Sequence, residues 1–368
     1  MNELYEREQG VAIRAVRTAA RLCQAVGAEI SPEVLAKKDK SPVTVADFGS
    51  QALICRALGE AFPEDPVIAE EDAVELRRPA SAAVLDQVVR HVGAVWDGAG
   101  GGAGIEIDGE QVCRWIDRGG ASQYGERFWT LDPIDGTKGF LRGEQYAVAL
   151  ALIVGGHVVV AALACPNLRV RAGREHGEED GPRGLVFRAA RGQGAFVVPG
   201  ECPVGDEAVP VRVWVSREDD PARVRFCESV ESGHSAQGDA AAVAARTGIT
   251  APPLRMDSQA KYAVVARGEA EIYLRLPTRS DYREKIWDHA AGALIVEEAG
   301  GVVTDINGRP LEFNHGRELA ANRGVIVTNG RLHQVVIEAV RGLGIASESS
   351  DEAGLGSDAD PGTKTQDR

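Results

Sequence analysis

A short apolar strand followed at once by two closely spaced acids sets the strongest limits on this chain. The aromatic and β-prone residues of Arg127–Leu131 (RFWTL) predict a buried strand. Asp132 and Asp135 come next, so both are expected where the strand ends and the chain turns. Pro133 fixes one backbone angle there, and Gly136 leaves room for a ligand beside the backbone. Two hard oxygen ligands at a strand end suit Mg²⁺, although Asp and Gly also favour turns that bind nothing.

Composition excludes several classes of protein. The 368 residues allow two domains, and 44% hydrophobic with 26% charged residues is ordinary for a soluble protein. The formal net charge of −14 disfavours a nucleic-acid polymer as partner but leaves a small phosphorylated substrate open. Neither a membrane span nor a secretory signal is expected. Six cysteines without a Cys-x-x-Cys pair argue against zinc and disulfides, and fit a reducing, cytoplasmic compartment.

Hydrophobic periodicity predicts the elements of the first half. Helices are expected over 3–26, from Asp47 to Leu58 and over roughly 80–95, with strands at 66–69, 146–154 and 158–164. The glycine-rich stretch 97–111 is interpreted as a flexible surface insertion. Its glycines lack the G-x-G-x-x-G spacing and no helix is expected after it, so a dinucleotide site is rejected.

The second half alternates short strands with helices, which favours an α/β arrangement. Strands are expected at 211–216, 271–276, 302–305 and 324–328, and helices at about 239–247, 258–267, 288–299 and 331–342. A charged loop at 173–184 suggests a boundary between subdomains 1–170 and 185–345. The acidic tail, 346–368, is expected to be disordered.

Five acids are predicted at the edges of these elements: Asp47, Glu70, Asp132, Asp135 and Asp288. Together they offer a ligand set for two or three Mg²⁺ ions, which polarise phosphoryl oxygens and acidify water. Singly, Asp47 and Asp288 are equally explained as helix N-caps, and Glu70 as a solvated loop acid.

Thr137 is a candidate proton relay oriented by Asp47, because a carboxylate beside metal ions is a weak base. If a helix begins after Asp135, the N–H groups of Gly136 and Thr137 face a bound phosphate.

Three blocks in this order resemble the magnesium-dependent, lithium-sensitive phosphatases of the inositol monophosphatase superfamily. The blocks are Ile68–Asp72 (IAEED), Asp132–Phe140 (DPIDGTKGF), and Trp287–Gly292 (WDHAAG) followed by Glu298–Gly301 (EAGG). The resemblance runs from about Tyr5 to Ala339. One departure is Ala69, where the family usually has glycine, and it changes no expected ligand.

Further motifs are similar to one branch, the 3′(2′),5′-bisphosphate nucleotidases. They are Lys40–Thr44 (KSPVT) before Asp47, the Lys138–Phe140 ending (KGF), Val230–Ser235 (VESGHS), Met256–Tyr262 (MDSQAKY) and Glu284–Asp288 (EKIWD). The resemblance implies a layered αβαβα sandwich of two subdomains, with the site at their junction. It also implies hydrolysis of the 3′-phosphate of adenosine 3′,5′-bisphosphate to AMP by a metal-activated water. The second implied substrate is 3′-phosphoadenosine 5′-phosphosulfate, with a place in sulfur metabolism.

The resemblance also implies a role for each matching residue. Metal ligands would be Glu70, Asp132, Asp135, Asp288 and the carbonyl of Ile134; the water-activating pair, Asp47 and Thr137; and the substrate-binding set, Gly136, Thr137, His234, Ser258, Lys261, Arg275 and Asp288.

The residues alone support the nucleotide set in part. Ser258 and Lys261 are three apart on a predicted helix and so share a face. Arg275 lies on a predicted strand face opposite its apolar neighbours, where a phosphate suits its planar fork and an internal salt bridge is the alternative. His234 is a loop histidine by default, and Lys138 has no assigned role.

Two rival functions remain at this point. An inositol monophosphatase or inositol polyphosphate 1-phosphatase would share every metal ligand, and the nucleotide set distinguishes it. A non-catalytic phosphonucleotide sensor is disfavoured, because all five carboxylates and Thr137 are present. The sequence leaves the oligomeric state open.

Overall fold

The computed structural model of the chain describes residues 4–30, 41–98, 107–122, 125–170, 182–200, 209–230, 237–279 and 282–345. In these residues two β-sheets alternate with three layers of helices. The predicted αβαβα sandwich is therefore confirmed. His234, the loop at 171–181 and the tail from residue 346 lie outside the described residues.

The first sheet has seven strands in sequence order. They are β1 (Val67–Ala69), β2 (Arg127–Asp135), β3 (Ala147–Val154), β4 (His157–Arg169), β5 (Arg183–Ala190), β6 (Gly194–Pro199) and β7 (Val211–Arg212). Only β1 and β2 are parallel; the other neighbours are antiparallel. The sheet thus continues past the expected boundary near residues 170–185, and the division into two subdomains stays a prediction.

Four helices cover one face of this sheet. They are α1 (Glu6–Ala28), α2 (Ser41–Ala61), α3 (Ala82–Gly98) and α4 (Gly109–Asp117). A short helix, α5 (Thr137–Leu141), follows β2. The prediction that α2 starts at Asp47 was wrong, because the helix begins with Ser41, and Pro42 is tolerated in a first turn. The expectation that no helix follows the glycine-rich stretch was also wrong. Asp108 caps α4 by accepting a hydrogen bond from the Gln111 N–H at 2.7 Å.

The two faces of β3 enter different cores because side chains alternate along a strand. Val148, Leu150 and Leu152 pack in the core beneath α1 and α2. Ala147, Ala149 and Ala151 pack in a second core, which lies between the two sheets. The small alanines leave space on that face for a helix to pack against the sheet.

The second sheet has five strands: β8 (Phe226–Glu228), β9 (Leu254–Arg255), β10 (Ile272–Arg275), β11 (Val302–Thr304) and β12 (Val325–Thr328). Their order across the sheet is β11, β12, β10, β8, β9. Helices α7 (Ala260–Ala266) and α8 (Ala290–Glu298) lie between the sheets, and α6 (Gln237–Thr247) and α9 (His333–Gly342) cover the outer face. A 3₁₀ turn, Ile286–Asp288, precedes α8. Among the described helices, none combines the length and apolar character of a bilayer-spanning segment.

Gly292 in α8 is where the middle helices meet most tightly. A Cβ atom there would lie 2.4 Å from Tyr262 Cγ. The ring of Tyr262 cannot retreat easily, since its hydroxyl is held 2.6 Å from His289 Nδ1. We expect Gly292→Ala to lower the free energy of unfolding by about 1–3 kcal/mol through overpacking.

Gly93→Ala is the matched control, because Gly93 lies in α3 with nothing within 4 Å of a Cβ atom. It should raise the free energy of unfolding by about 0.5–1 kcal/mol through helix propensity. Urea unfolding of both variants measures the two effects. A neutral result for Gly292→Ala would contradict the tight contact with Tyr262.

Candidate active site

The predicted site residues meet in one cleft of about 460 Å³ at the ends of the central strands. Ten of them line it: Glu70, Asp132, Ile134, Asp135, Gly136, Thr137, Ser258, Lys261, Arg275 and Asp288. Of the remaining two, Asp47 is buried on α2 at 6% exposure and His234 lies outside the described residues. The cleft therefore brings together ten of the twelve residues that the resemblance implied, and their roles stay predictions.

Strand β2 delivers the two central acids. It runs through Asp135, so Asp132 lies within the strand and not after it, which corrects the expectation. The pairing of β2 with β3 is irregular between Asp132 and Asp135, and Ser50 Oγ donates a hydrogen bond to the Pro133 carbonyl at 2.9 Å. A break in the alternation lets two acids three positions apart reach the same cleft.

Glu70, Asp132, Asp135 and Asp288 form the acidic wall of the cleft, and without a cation their charges repel one another. Burial raises the pKa of Asp132, and the neighbouring charges of Glu70 and Asp135 raise it further. Asp288 behaves in the same way, through burial and then Asp135. The Oδ1 atom of Asp132 is buried and has no hydrogen-bond partner among the described residues. An unsatisfied buried carboxylate oxygen among like charges fits a divalent cation held by oxygen ligands.

Asp47 and Asp288 are not helix N-caps. Asp47 lies in the second turn of α2, and Asp288 ends the 3₁₀ turn two residues before α8. Burial raises the pKa of Asp47, and the charges of Glu71 and Glu70 raise it further. The carboxyl group of Asp47 is therefore within electrostatic reach of Glu70 in the acidic wall. In the part of the chain described, no direct hydrogen bond joins Asp47 to Thr137, so the relay stays a prediction.

Gly136 makes room for protein and not only for a ligand. It has φ 88°, and a Cβ atom there would lie 2.9 Å from Ser258 Cβ. Ser258 itself has φ 69° and precedes α7, which begins at Ala260. The prediction that Ser258 and Lys261 share a helix face was therefore wrong, although both line the cleft.

The cleft is also lined by the cations Lys261 and Arg275, which we call its cation wall. Lys261 is 4% exposed, with Nζ 3.4 Å from the Met256 carbonyl oxygen and 5.1 Å from the ring centroid of Tyr273. Burial lowers the pKa of Lys261, and the charge of Asp135 opposes this. Arg275 Nε lies 3.2 Å from each carboxylate oxygen of Glu284. The internal salt bridge considered for Arg275 thus exists, and the residue lines the cleft as well.

Sequence reasoning missed a buried chain of polar groups behind Asp288. His289 Nδ1 lies 2.6 Å from the Tyr262 hydroxyl, and its Nε2 lies 3.3 Å from Glu284 Oε2. Ligand atoms of Glu284, Asp288 and His289 lie within 4.8 Å of one another. The spacing of these three residues around one turn was a signal that could have identified the group. Asp257, which pairs with Arg142 and lines the cleft, was missed too.

Glu70 makes the stability of the metal-free protein depend on pH. Burial and the charges of Glu71 and Asp135 raise its pKa from 4.5 to about 7. Between these values the folded state binds a proton that the unfolded state releases, so stability is lost as the pH rises through this window. We expect the melting temperature in chelator to fall from pH 4.5 to 7, and Mg²⁺ to reduce that fall. Parallel melting curves with and without Mg²⁺ would contradict the expectation.

The sequence profile of the inositol monophosphatase family matches residues 5–344. The chain belongs to the inositol monophosphatase family. The resemblance seen in the motifs is thereby confirmed. Members of this family are metal-dependent phosphatases, and the unsatisfied carboxylate at the cleft is consistent with that chemistry.

Three relatives in the inositol monophosphatase family are named 3′(2′),5′-bisphosphate nucleotidase. The protein of Emericella nidulans is 46% identical over 92% of this chain and 98% of its own length. That of Schizosaccharomyces pombe is 43% identical over 91% and 95%, and that of Oryza sativa is 44% identical over 92% and 94%.

Solved structures of the inositol monophosphatase family share the fold. CysQ from Bacteroides thetaiotaomicron has a TM-score of 0.58 at 20% identity, covering 90% of this chain and all of its own. Inositol monophosphatase from Anabaena has a TM-score of 0.56 at 19% identity, covering 91% and 95%. At such identities the likeness describes the fold alone.

Proposed function

We propose that the protein hydrolyses the 3′-phosphate of adenosine 3′,5′-bisphosphate to give AMP and phosphate. The observation that carries this is a single cleft that is lined both by the acidic wall and by Lys261 and Arg275. Such a cleft suits a substrate with two anionic groups. One group would bind the metal ions that the acids hold, and the other would bind Lys261 and Arg275 directly. The three named relatives support the same substrate. We propose 3′-phosphoadenosine 5′-phosphosulfate as a second substrate.

Two or three Mg²⁺ ions would be held by Glu70, Asp132, Asp135, Asp288 and the carbonyl of Ile134. When bound, the ions supply Lewis acidity to the phosphoryl oxygens and acidify water. Their charge also offsets the mutual repulsion that raises the pKa values of Asp132 and Asp288. The hard oxygen character of the set favours Mg²⁺ over softer metals.

The remaining residues bind the substrate and move the proton. Asp47 and Thr137 would accept the proton of the attacking water, with the buried carboxylate as the final base. Ser258, Lys261 and Arg275 would hold the 5′-phosphate, and the ion pair with Glu284 fixes the direction of the Arg275 guanidinium. His234, outside the described residues, would contact the adenosine. The N–H groups of Gly136 and Thr137 would face the scissile phosphate.

A reducing, cytoplasmic setting is part of the proposal. Five cysteines in the described residues are free and buried: Cys23, Cys55, Cys113, Cys165 and Cys227. Buried free thiols are typical of proteins from reducing compartments.

Phosphate release by the purified protein tests the proposed function. With Mg²⁺ we expect turnover of adenosine 3′,5′-bisphosphate to exceed that of inositol 1-phosphate and inositol 1,4-bisphosphate by at least about 100-fold, the effect of two charge-assisted contacts. Chelator should abolish the activity, and lithium should inhibit it. A preference for either inositol phosphate would replace the nucleotide with an inositol substrate. Tight nucleotide binding without turnover would favour the sensor.

A further inference from the structure

Gln259 joins the two walls of the cleft. It is 1% exposed and stands between Ser258 and Lys261, at the start of α7. Its backbone N–H donates to Asp135 Oδ2 at 2.6 Å. Its side-chain Nε2 donates to the Trp287 carbonyl at 2.9 Å, and its Oε1 accepts from the Gly292 N–H at 3.1 Å. Gln259 thus contacts both the strand that carries Asp135 and the segment that carries Asp288.

The two side-chain hydrogen bonds of Gln259 reach the backbone before and after Asp288. Trp287 precedes it in the 3₁₀ turn, and Gly292 lies in the first turn of α8. His289, which precedes α8, gives no side-chain cap, so the amide oxygen of Gln259 satisfies a helix N–H that its own N-cap residue leaves open. The amide therefore fixes the backbone on both sides of a predicted metal ligand.

The strained backbone conformation of Ser258 orients the backbone N–H of Gln259. A left-handed backbone is costly for a residue other than glycine and persists only where its surroundings enforce it. At Ser258 (φ 69°) the side-chain oxygen accepts a hydrogen bond from the Ala260 N–H at 3.1 Å. This turn directs the Gln259 N–H to Asp135. A phosphate that binds Ser258 or Lys261 would contact the residues on either side of Gln259, which bonds to Asp135 and to the backbone on both sides of Asp288.

We propose that Gln259 is a positioning residue that couples nucleotide binding on the cation wall to cation binding on the acidic wall. The inference rests on the proposed function and deepens it. In energetic terms, AMP should raise the affinity for the metal, and the metal should raise the affinity for AMP by the same factor. AMP lacks the scissile 3′-phosphate, so the largest direct contact between nucleotide and metal is absent, and the part of the coupling that depends on Gln259 passes through the protein.

Titration calorimetry of Mn²⁺ with and without AMP measures this coupling. For the unaltered protein we expect AMP to increase Mn²⁺ affinity by about 5-fold or more. Gln259→Met removes both side-chain bonds at similar volume and should reduce the factor to about 1 to 2, a large part of the coupling range. Gln193→Met is the control, because Gln193 is a hydrogen-bonded glutamine outside the cleft lining.

Gln259→Glu is the second variant and covers the case in which Gln259→Met does not fold. It keeps an acceptor for the Gly292 N–H but loses the donor to the Trp287 carbonyl. Its coupling factor should also fall. A factor equal to that of the unaltered protein in either folded variant would overturn the proposal, as would independent binding of Mn²⁺ and AMP in the unaltered protein. Failure of the unaltered protein to bind either one would instead reject the proposed function.

Discussion

Asp132→Asn is expected to lower kcat by about 10³-fold or more. The substitution removes one charge from the acidic wall, and metal-assisted charge stabilisation amounts to several kcal/mol, with each 1.36 kcal/mol giving a factor of ten. The Oδ1 atom of Asp132 is buried and has no hydrogen-bond partner among the described residues, as expected of an oxygen that holds a cation. Phosphate release under saturating substrate and Mg²⁺ measures the effect. A loss of less than about tenfold would remove Asp132 from the metal ligands.

The same substitution should stabilise the metal-free protein. Burial and the charges of Glu70 and Asp135 raise the pKa of Asp132, so its charged form opposes folding. In chelator we expect the melting temperature to rise by about 2 °C or more. Asp86→Asn, on an exposed site of α3, is the control and should change neither activity nor melting temperature. Lower stability of Asp132→Asn in chelator would contradict the repulsion.

Lys261→Met is expected to separate substrates by their second phosphate. It should lower kcat/KM for adenosine 3′,5′-bisphosphate by about 10- to 100-fold, the magnitude of a lost charged hydrogen bond. Adenosine 3′-monophosphate should be hydrolysed as before. The fold should tolerate the change, because burial already lowers the pKa of Lys261 and a thioether needs no partner.

Steady-state kinetics with both nucleotides measure this separation. Lys285→Met is the control, since Lys285 lies outside the cleft lining with Nζ 2.6 Å from Glu318 Oε1. It should leave the ratio of the two kcat/KM values unchanged. If Lys261→Met lowered both values equally, Lys261 would act on the acidic wall through Asp135 and not on a 5′-phosphate.

Periodicity was sufficient for the long elements of the fold. The strand Ala147–Val154 and the helix α1 were predicted within a few residues, because the strand is apolar on both faces and the helix presents one continuous apolar face. Arg275 was predicted on the face opposite Ile272 and Leu274, and these two do pack in the outer core. Acids at strand ends likewise indicated the cleft, since strand ends at one sheet edge meet in space.

Other features depend on contacts that no local pattern contains. Strands β8 and β9 have three and two residues, too few for a period to appear. Strands β5 and β6 were not predicted. They pair antiparallel with each other in the first sheet, and this pairing is a contact that no local pattern contains. The left-handed turn at Ser258 is set by its tertiary surroundings, and the partner of Arg275 lies nine residues away on Glu284. The roles of the cleft residues themselves stay predictions.

The two walls of the cleft come from different parts of the chain. The first sheet and its flanking turn supply Glu70, Asp132 and Asp135, whereas the stretch around α7 and β10 supplies Lys261 and Arg275. Under the proposed roles, the acids that would hold the metal and the cations that would bind the substrate can therefore change separately, except at Gln259, which contacts both segments. Descendants of such a chain can acquire new substrates by changing other residues of 254–276, while Glu70, Asp132, Asp135 and Asp288 stay as they are. A library of variants confined to 254–276, with Gln259 kept, is thus a natural starting point for redirecting the enzyme.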